Sequence, residues 1–446
     1  MNVVARLVVC SLALLIILPA PAQDWPHWRG PNYDGSADVK GIPDTFSKFK
    51  NVKWKTKMPG PSACTPIVVG ERIFLSSVDS KRDKLVAMCI NRQDGHILWK
   101  HDAGSGYPGG TGGRRSNYSS PSPATDGKNV VFFFGNGDLV GFGHEGMKRW
   151  SRNLQKDYGQ FAFQWTFSAS PTIWEGKLFL PILQRDVPVG RRGGDGSGDK
   201  IKSFLLAIDP ATGKTIYKHD RPSPARMESL ECYATLIPFV RGDGRKELLC
   251  VGGDVLTGHD PASGKELWRW GTWNEGHRQR AWRLVPTVVS GDGVAVICAP
   301  KRAPVYAIKL GGDGKLDAKA LAWKSQGRPN NISSDVPSPA YRDGHFYVLS
   351  DVQYALSKVN AKTGKVVWST EVPRDYLWRA SPTINDGKVY CINHTGLVIV
   401  VDAKSGKIVH KTFMGEVDDD QIRSSVVVAH RALFIRTWDT LYCIGK

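Results

Sequence analysis

A short motif recurs along this chain, and its repetition constrains the fold more than any other sequence feature. Each close copy begins with Asp or Asn, reaches a Gly four positions later and ends on an aromatic residue four positions after that. Close copies span residues 91–99, 209–217, 260–268, 360–368 and 402–410, and looser copies end at Trp150 and Trp323. Self-similarity at a spacing of roughly 40 to 50 residues predicts a repeat architecture in which each unit packs on its neighbours.

A second signature opens each unit and indicates strands. It is a Ser-Pro or Thr-Pro pair, or a substitute for one, followed by an apolar stretch and a tight turn. The openings are at Thr65-Pro66, Ser122-Pro123, Ser170-Pro171, Tyr233-Ala234, Val285-Pro286, Ser338-Pro339, Ser381-Pro382 and Ser425-Val426. Four short apolar runs separated by turns are typical of one blade of a β-propeller.

The number of units and the way they close can be read from the two ends of the chain. Aromatic positions mark the fourth strands of seven units, and the last unit stops after its third strand near Ile444. Residues 51–56, Asn-Val-Lys-Trp-Lys-Thr, match the missing strand. We therefore predict an all-β fold: an eight-bladed β-propeller of four-stranded antiparallel blades over residues 51–446, closed by an N-terminal strand. Residues 23–50 are expected to pack on the propeller as an extension.

The repeated aromatic residues and glycines are interpreted as scaffold. Large aromatic side chains bury much surface, which suits packing between neighbouring blades. The Asp-x-x-Thr-Gly segments are interpreted as hairpin turns, because the Asp side chain can accept hydrogen bonds from the backbone that follows it and Gly supplies a positive φ. Function is therefore expected at residues that break the repeat.

Residues 1–22 have the features of a secretory signal. Arg6 precedes an apolar run at residues 7–18, and small residues at 20–22 suit cleavage before Gln23. The run is short for a membrane span, so an uncleaved anchor is the alternative. We expect an exported protein that is periplasmic or extracellular, without a transmembrane segment and monomeric.

Composition excludes some classes of function. Seven cysteines follow the signal, an odd number with no adjacent pair and no Cys-x-x-Cys, so a disulfide framework is not predicted. The formal net charge is +18, which favours anionic partners. The basic residues are scattered and no nucleic-acid-binding motif is present, so nucleic acid is not an expected partner.

Taken together, the Ser-Pro openings, the Asp-x-x-Thr-Gly-Lys-x-x-Trp endings and the eightfold count resemble the quinoprotein propeller family, named for pyrroloquinoline quinone (PQQ). Residues 24–35 and 436–444 resemble a secreted PQQ-like or BamB-like branch of it. The resemblance implies one of two roles, since the family includes calcium- and quinone-dependent alcohol dehydrogenases and cofactor-free scaffolds. The dehydrogenases carry an adjacent pair of disulfide-bonded cysteines, which this sequence lacks, and the lipid-bearing Cys of the BamB lipoprotein is missing too.

Propeller ligands usually lie at one mouth of the central channel, on the loops that lead into the innermost strands. When the units are aligned on the Pro of their opening pair, the positions three and four residues before that Pro can be compared. In one half of the ring these positions hold charged and indole side chains. The candidate ligand site comprises Arg283, Arg379, Arg423, Trp282, Trp378, Glu231 and Asp335. Planar guanidinium groups and indoles suit a flat anion. The alternative is that arginines and carboxylates of adjacent blades pair with each other.

No catalytic residue and no metal ligand is predicted. The expected function is that of a non-catalytic exported β-propeller, a binding or scaffold module for protein or anionic cell-envelope partners. The alternative is a quinone- or small-anion-binding protein related to PQQ-dependent alcohol dehydrogenases. Neither PQQ nor another cofactor is expected, because the ligands for one are not evident.

Overall fold

The computed structural model describes residues 23–106, 117–189, 200–326 and 332–446. Their strands form eight sheets arranged as blades around a central channel, so the prediction of an eight-bladed β-propeller is confirmed. The predicted signal at 1–22 lies outside the described residues. Among those residues, no helix is both long and apolar enough to span a membrane.

The first four blades follow one another along the chain, and each runs from the channel outwards. Blade 1 has β3 (Ile67–Val69), β4 (Arg72–Asp79), β5 (Lys84–Asn91) and β6 (Ile97–Ser105); blade 2 has β7 (Ala124–Thr125), β8 (Asn129–Phe133), β9 (Asp138–Gly143) and β10 (Lys148–Asn153). Blade 3 has β11 (Thr172–Trp174), β12 (Lys177–Ile182), β13 (Phe204–Ile208) and β14 (Thr215–Asp220); blade 4 has β15 (Ile237–Val240), β16 (Lys246–Gly252), β17 (Val255–His259) and β18 (Glu266–Gly271).

The remaining blades repeat this order. Blade 5 has β19 (Val289–Gly291), β20 (Val294–Cys298), β21 (Val305–Lys309) and β23 (Leu321–Lys324); blade 6 has β24 (Ala340–Arg342), β25 (His345–Ser350), β26 (Ala355–Asn360) and β27 (Val366–Glu371). Blade 7 has β28 (Thr383–Asn385), β29 (Lys388–Ile392), β30 (Leu397–Asp402) and β31 (Ile408–Phe413); blade 8 has β32 (Val427–Ala429), β33 (Ala432–Arg436) and β34 (Thr440–Gly445).

A few elements stand outside the repeat. The fourth strand of blade 8 is β2 (Val52–Lys57), while β1 (Ser36–Ala37) and β22 (Gly314–Lys315) pair in parallel with β28 and β18. The helices of the described residues are α1 (Leu154–Tyr158) and 3-10 turns at Met227–Leu230, Glu275–His277 and Ala318–Ala320.

The core lies between the blades because the second and third strands of each blade are buried on both faces. Strand β30 is almost wholly buried, whereas alternate residues of the outer strand β31 are exposed. The seven cysteines of the described residues are buried and unpaired among these strands. They behave as small apolar side chains.

The repeated aromatic residues wedge between blades as the sequence predicts. Trp150 of blade 2 donates a hydrogen bond of 2.9 Å from Nε1 to the carbonyl of Pro210, in the turn of blade 3. The carbonyls that accept from the equivalent indoles belong to Arg92 (from Trp54), His144 (from Trp99), Ala361 (from Trp323) and Ala403 (from Trp368). The turn glycines are required here, because a Cβ on Gly213 would lie 2.5 Å from the Trp150 ring.

The ring closes where the two ends of the chain meet. Strand β2 pairs antiparallel with β34, with Val52 opposite Ile444 and Lys57 opposite Thr440. Blade 8 consequently has no turn between its third and fourth strands. Phe46 of the N-terminal extension replaces that turn, since its carbonyl lies 2.8 Å from His410 Nε2.

Candidate functional site

A belt of hydroxyl groups encircles the channel and sets the register of all eight blades. It consists of Thr65, Ser122, Ser170, Thr235, Thr287, Ser338, Ser381 and Ser425. In seven of the links, the backbone N–H of one member donates to the hydroxyl of the member in the next blade, at 2.8 to 3.1 Å. The eighth link, from Ser381 to Ser425, is not made, and Ser425 Oγ has no partner among the described residues.

The hydroxyl belt corrects the alignment of two units. The residue after each hydroxyl precedes the first strand, and in blades 4 and 5 that residue is Leu236 and Val288. The sequence-based alignment on Ala234 and Pro286 was therefore wrong by two residues. In the corrected register Tyr233 and Val285, rather than Glu231 and Arg283, lie three residues before the position that proline occupies in most blades.

The corrected position forms what we call the mouth ring, one residue per blade. Its members in blade order are Ala63, Ser120, Ser168, Tyr233, Val285, Val336, Arg379 and Arg423. All eight line a cavity of about 670 Å³ that reaches inward to the hydroxyl belt. A second cavity of about 540 Å³ continues outward from the mouth ring and is also lined by Trp165, Thr166 and Arg283. We call these two connected spaces the mouth cavity.

The N-terminal extension closes the inner end of the mouth cavity. Trp28 lines the cavity beside the hydroxyl belt. Beyond Trp28, the backbone of Trp25 pairs with Val68 of blade 1, and β1 pairs with β28 of blade 7. The buried Arg29 guanidinium donates to the carbonyls of Pro339 and Pro382, at 2.6 and 3.3 Å. The channel is therefore a blind cavity that opens on the side of the arginines.

Of the three arginines that line the cavity, Arg283 has the most carboxylate partners for its positive charge. Its Nη2 donates to Asp335 Oδ2 at 3.2 Å, and its Nε lies 3.7 Å from Glu228 Oε1. Asp335 also accepts the backbone N–H of Lys301. At this position the alternative prediction, that arginines and carboxylates of adjacent blades pair, describes the contacts well.

Arg379 has a weaker carboxylate partner. Its Nε lies 3.9 Å from Asp351 Oδ2, too far for a hydrogen bond, and has no hydrogen-bond partner among the described residues. Burial is the main cause that raises the pKa of Asp351 to about 6; the charge of Asp335 contributes to the rise, while the Asp335 N–H and the charge of Arg379 oppose it. Near neutral pH part of the negative charge facing Arg379 is therefore lost to protonation.

Arg423 completes the cationic side of the cavity, and the neutral His394 lies near it. Arg423 Nη2 donates to the neutral side chain of Gln421 at 3.3 Å. His394 is buried, and neither ring nitrogen makes a hydrogen bond within the described residues. Burial, followed by the charges of Arg423 and Arg379, lowers its pKa to about 2, although the Asp420 backbone nearby acts slightly in the other direction. The imidazole is therefore neutral at physiological pH.

The other predicted site residues surround the cavity without lining it. Glu231 is fully buried, pairs with Arg185 and accepts a 2.6 Å hydrogen bond from the Tyr233 hydroxyl. Trp378 is buried in the core and donates to the Pro373 carbonyl, and Trp282 packs on the core of blades 4 and 5. Among the predicted residues, only Arg283, Arg379 and Arg423 line the mouth cavity.

The acidic side chains near the mouth cavity bear on whether it could hold a divalent cation. Within the described residues, no three His, Cys, Asp or Glu side chains lie close enough to hold a metal ion. Asp351 and Asp335 are the nearest carboxylates, and both already face arginines. A calcium ion bound by these carboxylates would have to compete with the arginines for them.

Comparison with known proteins gives relatives of two kinds. The chain is 24% identical to a polyvinylalcohol dehydrogenase of Sphingopyxis sp. (strain 113P3) over 414 residues, covering 85% of this chain and 56% of that protein. A polyvinylalcohol dehydrogenase of Pseudomonas sp. is 25% identical over 186 residues, 40% of this chain and 26% of its own length. The match thus spans little more than half of the Sphingopyxis protein and about a quarter of the Pseudomonas protein. A tetrathionate hydrolase of Acidithiobacillus ferrooxidans is 22% identical over 396 residues, 84% of this chain and 72% of that one.

Solved structures share the fold at low sequence identity. BamB from Moraxella catarrhalis superposes with a TM-score of 0.56 at 13% identity, covering 87% of this chain and 98% of that one. A europium-containing methanol dehydrogenase gives 0.63 at 11% identity, covering 93% and 89%.

Membership of a family rests on the sequence itself. A family model described as outer membrane protein assembly factor BamB matches residues 47–184 and 252–437, most of the propeller. The resemblance predicted from the repeat is confirmed, and the chain belongs to this BamB family of PQQ-like β-propellers.

Proposed function

We propose that this protein is a non-catalytic binding module that takes an anionic ligand or partner group into the mouth cavity of its propeller. The observation that carries the proposal is the blind cavity lined by Arg283, Arg379 and Arg423. A closed inner end leaves a pocket with one entrance. Arginines at a partly desolvated entrance attract anions more strongly than arginines on an open surface do.

The balance of charge within the cavity supports an anion. Arg283 is compensated by Asp335 and Glu228, whereas the carboxylate facing Arg379 has its pKa raised towards neutrality. Arg423 hydrogen-bonds a neutral amide. Protonation of Asp351 as the pH falls through about 6 therefore adds to the net positive charge of the cavity, which would stabilise a bound anion.

The family and the whole-chain charge support partners at the cell envelope. The family is described as an outer membrane protein assembly factor, and the net charge of +18 favours anionic partners. We infer export to the periplasm or beyond, and a protein or anionic envelope component as the partner. Affinity capture from an envelope fraction, with the tagged propeller as bait, tests the partner.

Isothermal titration calorimetry tests the ligand site. The parent protein is titrated with citrate, sulfate and hexanoate, and at least one is expected to bind. The Arg283→Ala/Arg379→Ala double variant should lose that affinity at least tenfold. A double variant that binds every anion as the parent does would remove the mouth cavity as the site.

The relatives named polyvinylalcohol dehydrogenase favour a second candidate, a quinone-dependent oxidoreductase. It is tested by adding PQQ and calcium to the protein and following dye reduction with polyvinyl alcohol or a primary alcohol. Turnover that requires quinone would replace the binding-module proposal.

A further inference from the structure

The mouth ring is divided by polarity around its circumference. Blades 5 and 6 contribute Val285 and Val336, and blades 7 and 8 contribute Arg379 and Arg423. Tyr233 of blade 4 adjoins the aliphatic side, and the small side chains of Ala63, Ser120 and Ser168 in blades 1 to 3 complete the ring. An apolar wall therefore meets a cationic wall within one cavity.

His394 holds the two arginine-bearing loops together. It lies in the turn after β29, where its N–H donates to the carbonyl of Leu377 and its carbonyl accepts the N–H of Ile422, both at 2.9 Å. Leu377 lies two residues before Arg379, and Ile422 immediately precedes Arg423. The cationic wall is therefore built by three segments tied through one residue, not by independent surface side chains.

The side chain of His394 lies close enough to Arg379 and Arg423 to feel both of their charges. It is 1% exposed, and both ring nitrogens lack hydrogen-bond partners within the described residues. A neutral imidazole has one N–H to donate, and a buried donor without an acceptor destabilises the fold. An oxyanion between the two arginines would offer such an acceptor close to this ring.

We propose that the mouth cavity binds a carboxylate carried on an apolar body, with the carboxylate against Arg379 and Arg423 and the body against Val285 and Val336. This proposal rests on the proposed function and specifies its ligand class. Two sources present that chemistry, a free carboxylic acid and the C-terminal residue of a polypeptide. Guanidinium groups match a carboxylate through paired hydrogen bonds, and a single negative charge is tolerated beside Asp351 more readily than the two charges of a sulfate.

The experiment compares matched ligands by calorimetry at pH 7. Hexanoate is tested against hexanamide, which keeps the apolar body and removes the charge, and against sulfate, which keeps the charge and removes the body. An acetylated pentapeptide ending in a free Val carboxylate is tested against its C-terminal amide. We expect hexanoate or the free peptide to bind at least tenfold more tightly than its amide and than sulfate.

Variants of the cavity arginines test which residues contact the ligand. Arg379→Gln and Arg423→Gln should each weaken binding roughly tenfold, which corresponds to the loss of one charged hydrogen bond. Arg374→Gln, an exposed arginine of the same loop, is the matched control and should bind as the parent does. The ring signal of His394, assigned with His394→Gln, should shift in the NMR spectrum when the carboxylate is added.

The outcomes separate this inference from the proposed function. If sulfate binds as well as the carboxylates and needs the same arginines, the apolar-carboxylate inference is wrong and the anion site stands. If hexanamide binds as well as hexanoate, or if Arg374→Gln weakens binding as much as Arg379→Gln, the assignment of the cationic wall is wrong. If no anion binds, both proposals fail.

Discussion

The indole of Trp150 donates to the carbonyl of Pro210 in the adjacent blade while its ring covers the face of Gly213. This contact couples the outer strand of one blade to the turn of the next. Its repetition around the ring makes the turn glycines part of the packing between blades as well as part of the hairpins.

Gly213→Ala is expected to destabilise the protein more than Gly176→Ala does. Both glycines have a φ of +71°, so both substitutions carry the same backbone strain. Only at Gly213 does the new Cβ meet the indole, at 2.5 Å, whereas nothing lies within 4 Å at Gly176. The difference should be about 1–3 kcal/mol, the usual cost of overpacking, in urea unfolding. Equal midpoints would show that the ring moves away without cost.

The missing hydrogen bond between Ser381 and Ser425 in the hydroxyl belt allows a second pair of variants to be compared. Ser338→Ala removes the acceptor of the Thr287 N–H, a 2.8 Å hydrogen bond, and should destabilise the protein by about 1–3 kcal/mol because a buried donor is left without a partner. Ser425→Ala should change stability little, since Ser425 Oγ accepts no hydrogen bond within the described residues. Urea unfolding of both variants is the measurement. A loss of equal size at Ser425 would contradict the gap in the belt.

Anion affinity should rise as the pH falls from 7.5 to 5.5. The carboxyl of Asp351, which faces Arg379, Asp335 and the Cys298 thiol, has its pKa raised to about 6. Below that pH it is protonated, so Arg379 loses its competing anion; His394 stays neutral throughout. Calorimetry of hexanoate at both pH values measures the change. Asp351→Asn should bind tightly at both, and an unchanged pH dependence in that variant would exclude Asp351 as the cause.

The same pKa shift predicts a stability effect of known sign. A carboxyl whose pKa is higher in the folded protein takes up a proton on folding, so its contribution favours the folded state at low pH and is lost as the pH rises through about 6. Asp351→Asn should therefore raise the thermal midpoint at pH 7.5 more than at pH 5. A smaller gain at pH 7.5 than at pH 5 would contradict the shift.

Arg29→Met should loosen the N-terminal extension. The substitution leaves the buried carbonyls of Pro339 and Pro382 without their donor. Hydrogen exchange should accelerate at Ile384, whose N–H is bonded to the Gly35 carbonyl. Lys40→Met, an exposed position of the same extension that loses only a surface ion pair, is the control and should leave this exchange unchanged.

The blade count and the ring closure could be predicted because they depend on local patterns. Each turn needs a glycine at positive φ beside an aromatic wedge, so the motif survives in almost every unit. The strand at 51–56 is recognisable by the same aromatic residue, Trp54, and the structure has it as Val52–Lys57.

The positions of the prolines do not predict where the first strands of blades 4 and 5 begin. Proline marks the residue after each belt hydroxyl in most blades, but Leu236 and Val288 occupy that position in these two, and Pro286 lies two residues early. The feature that is retained is the hydroxyl, since it must accept a backbone N–H from the preceding blade. The Thr235 and Thr287 hydroxyls were the available signal.

Asp351 and His394 were missed for a different reason. Both follow a second strand, β25 or β29, and the turns after second strands return to the same end of the blade as the loops that enter the first strands. Whether these two residues come close to Arg379 and Arg423 depends on how far the turns extend towards the channel. No local sequence pattern predicts that distance.

The pairing of β2 with β34 also has a consequence for how the chain is made. Its partners are almost the whole length of the described chain apart, so this contact forms only after the last strand has been synthesised. Until then blade 8 lacks its outer strand and Trp54 has no sheet to join. Contacts of such large sequence separation slow folding. The last event in assembling this ring is therefore the return of a segment made near the beginning, and an unfinished chain exposes an open edge of the kind that invites aggregation.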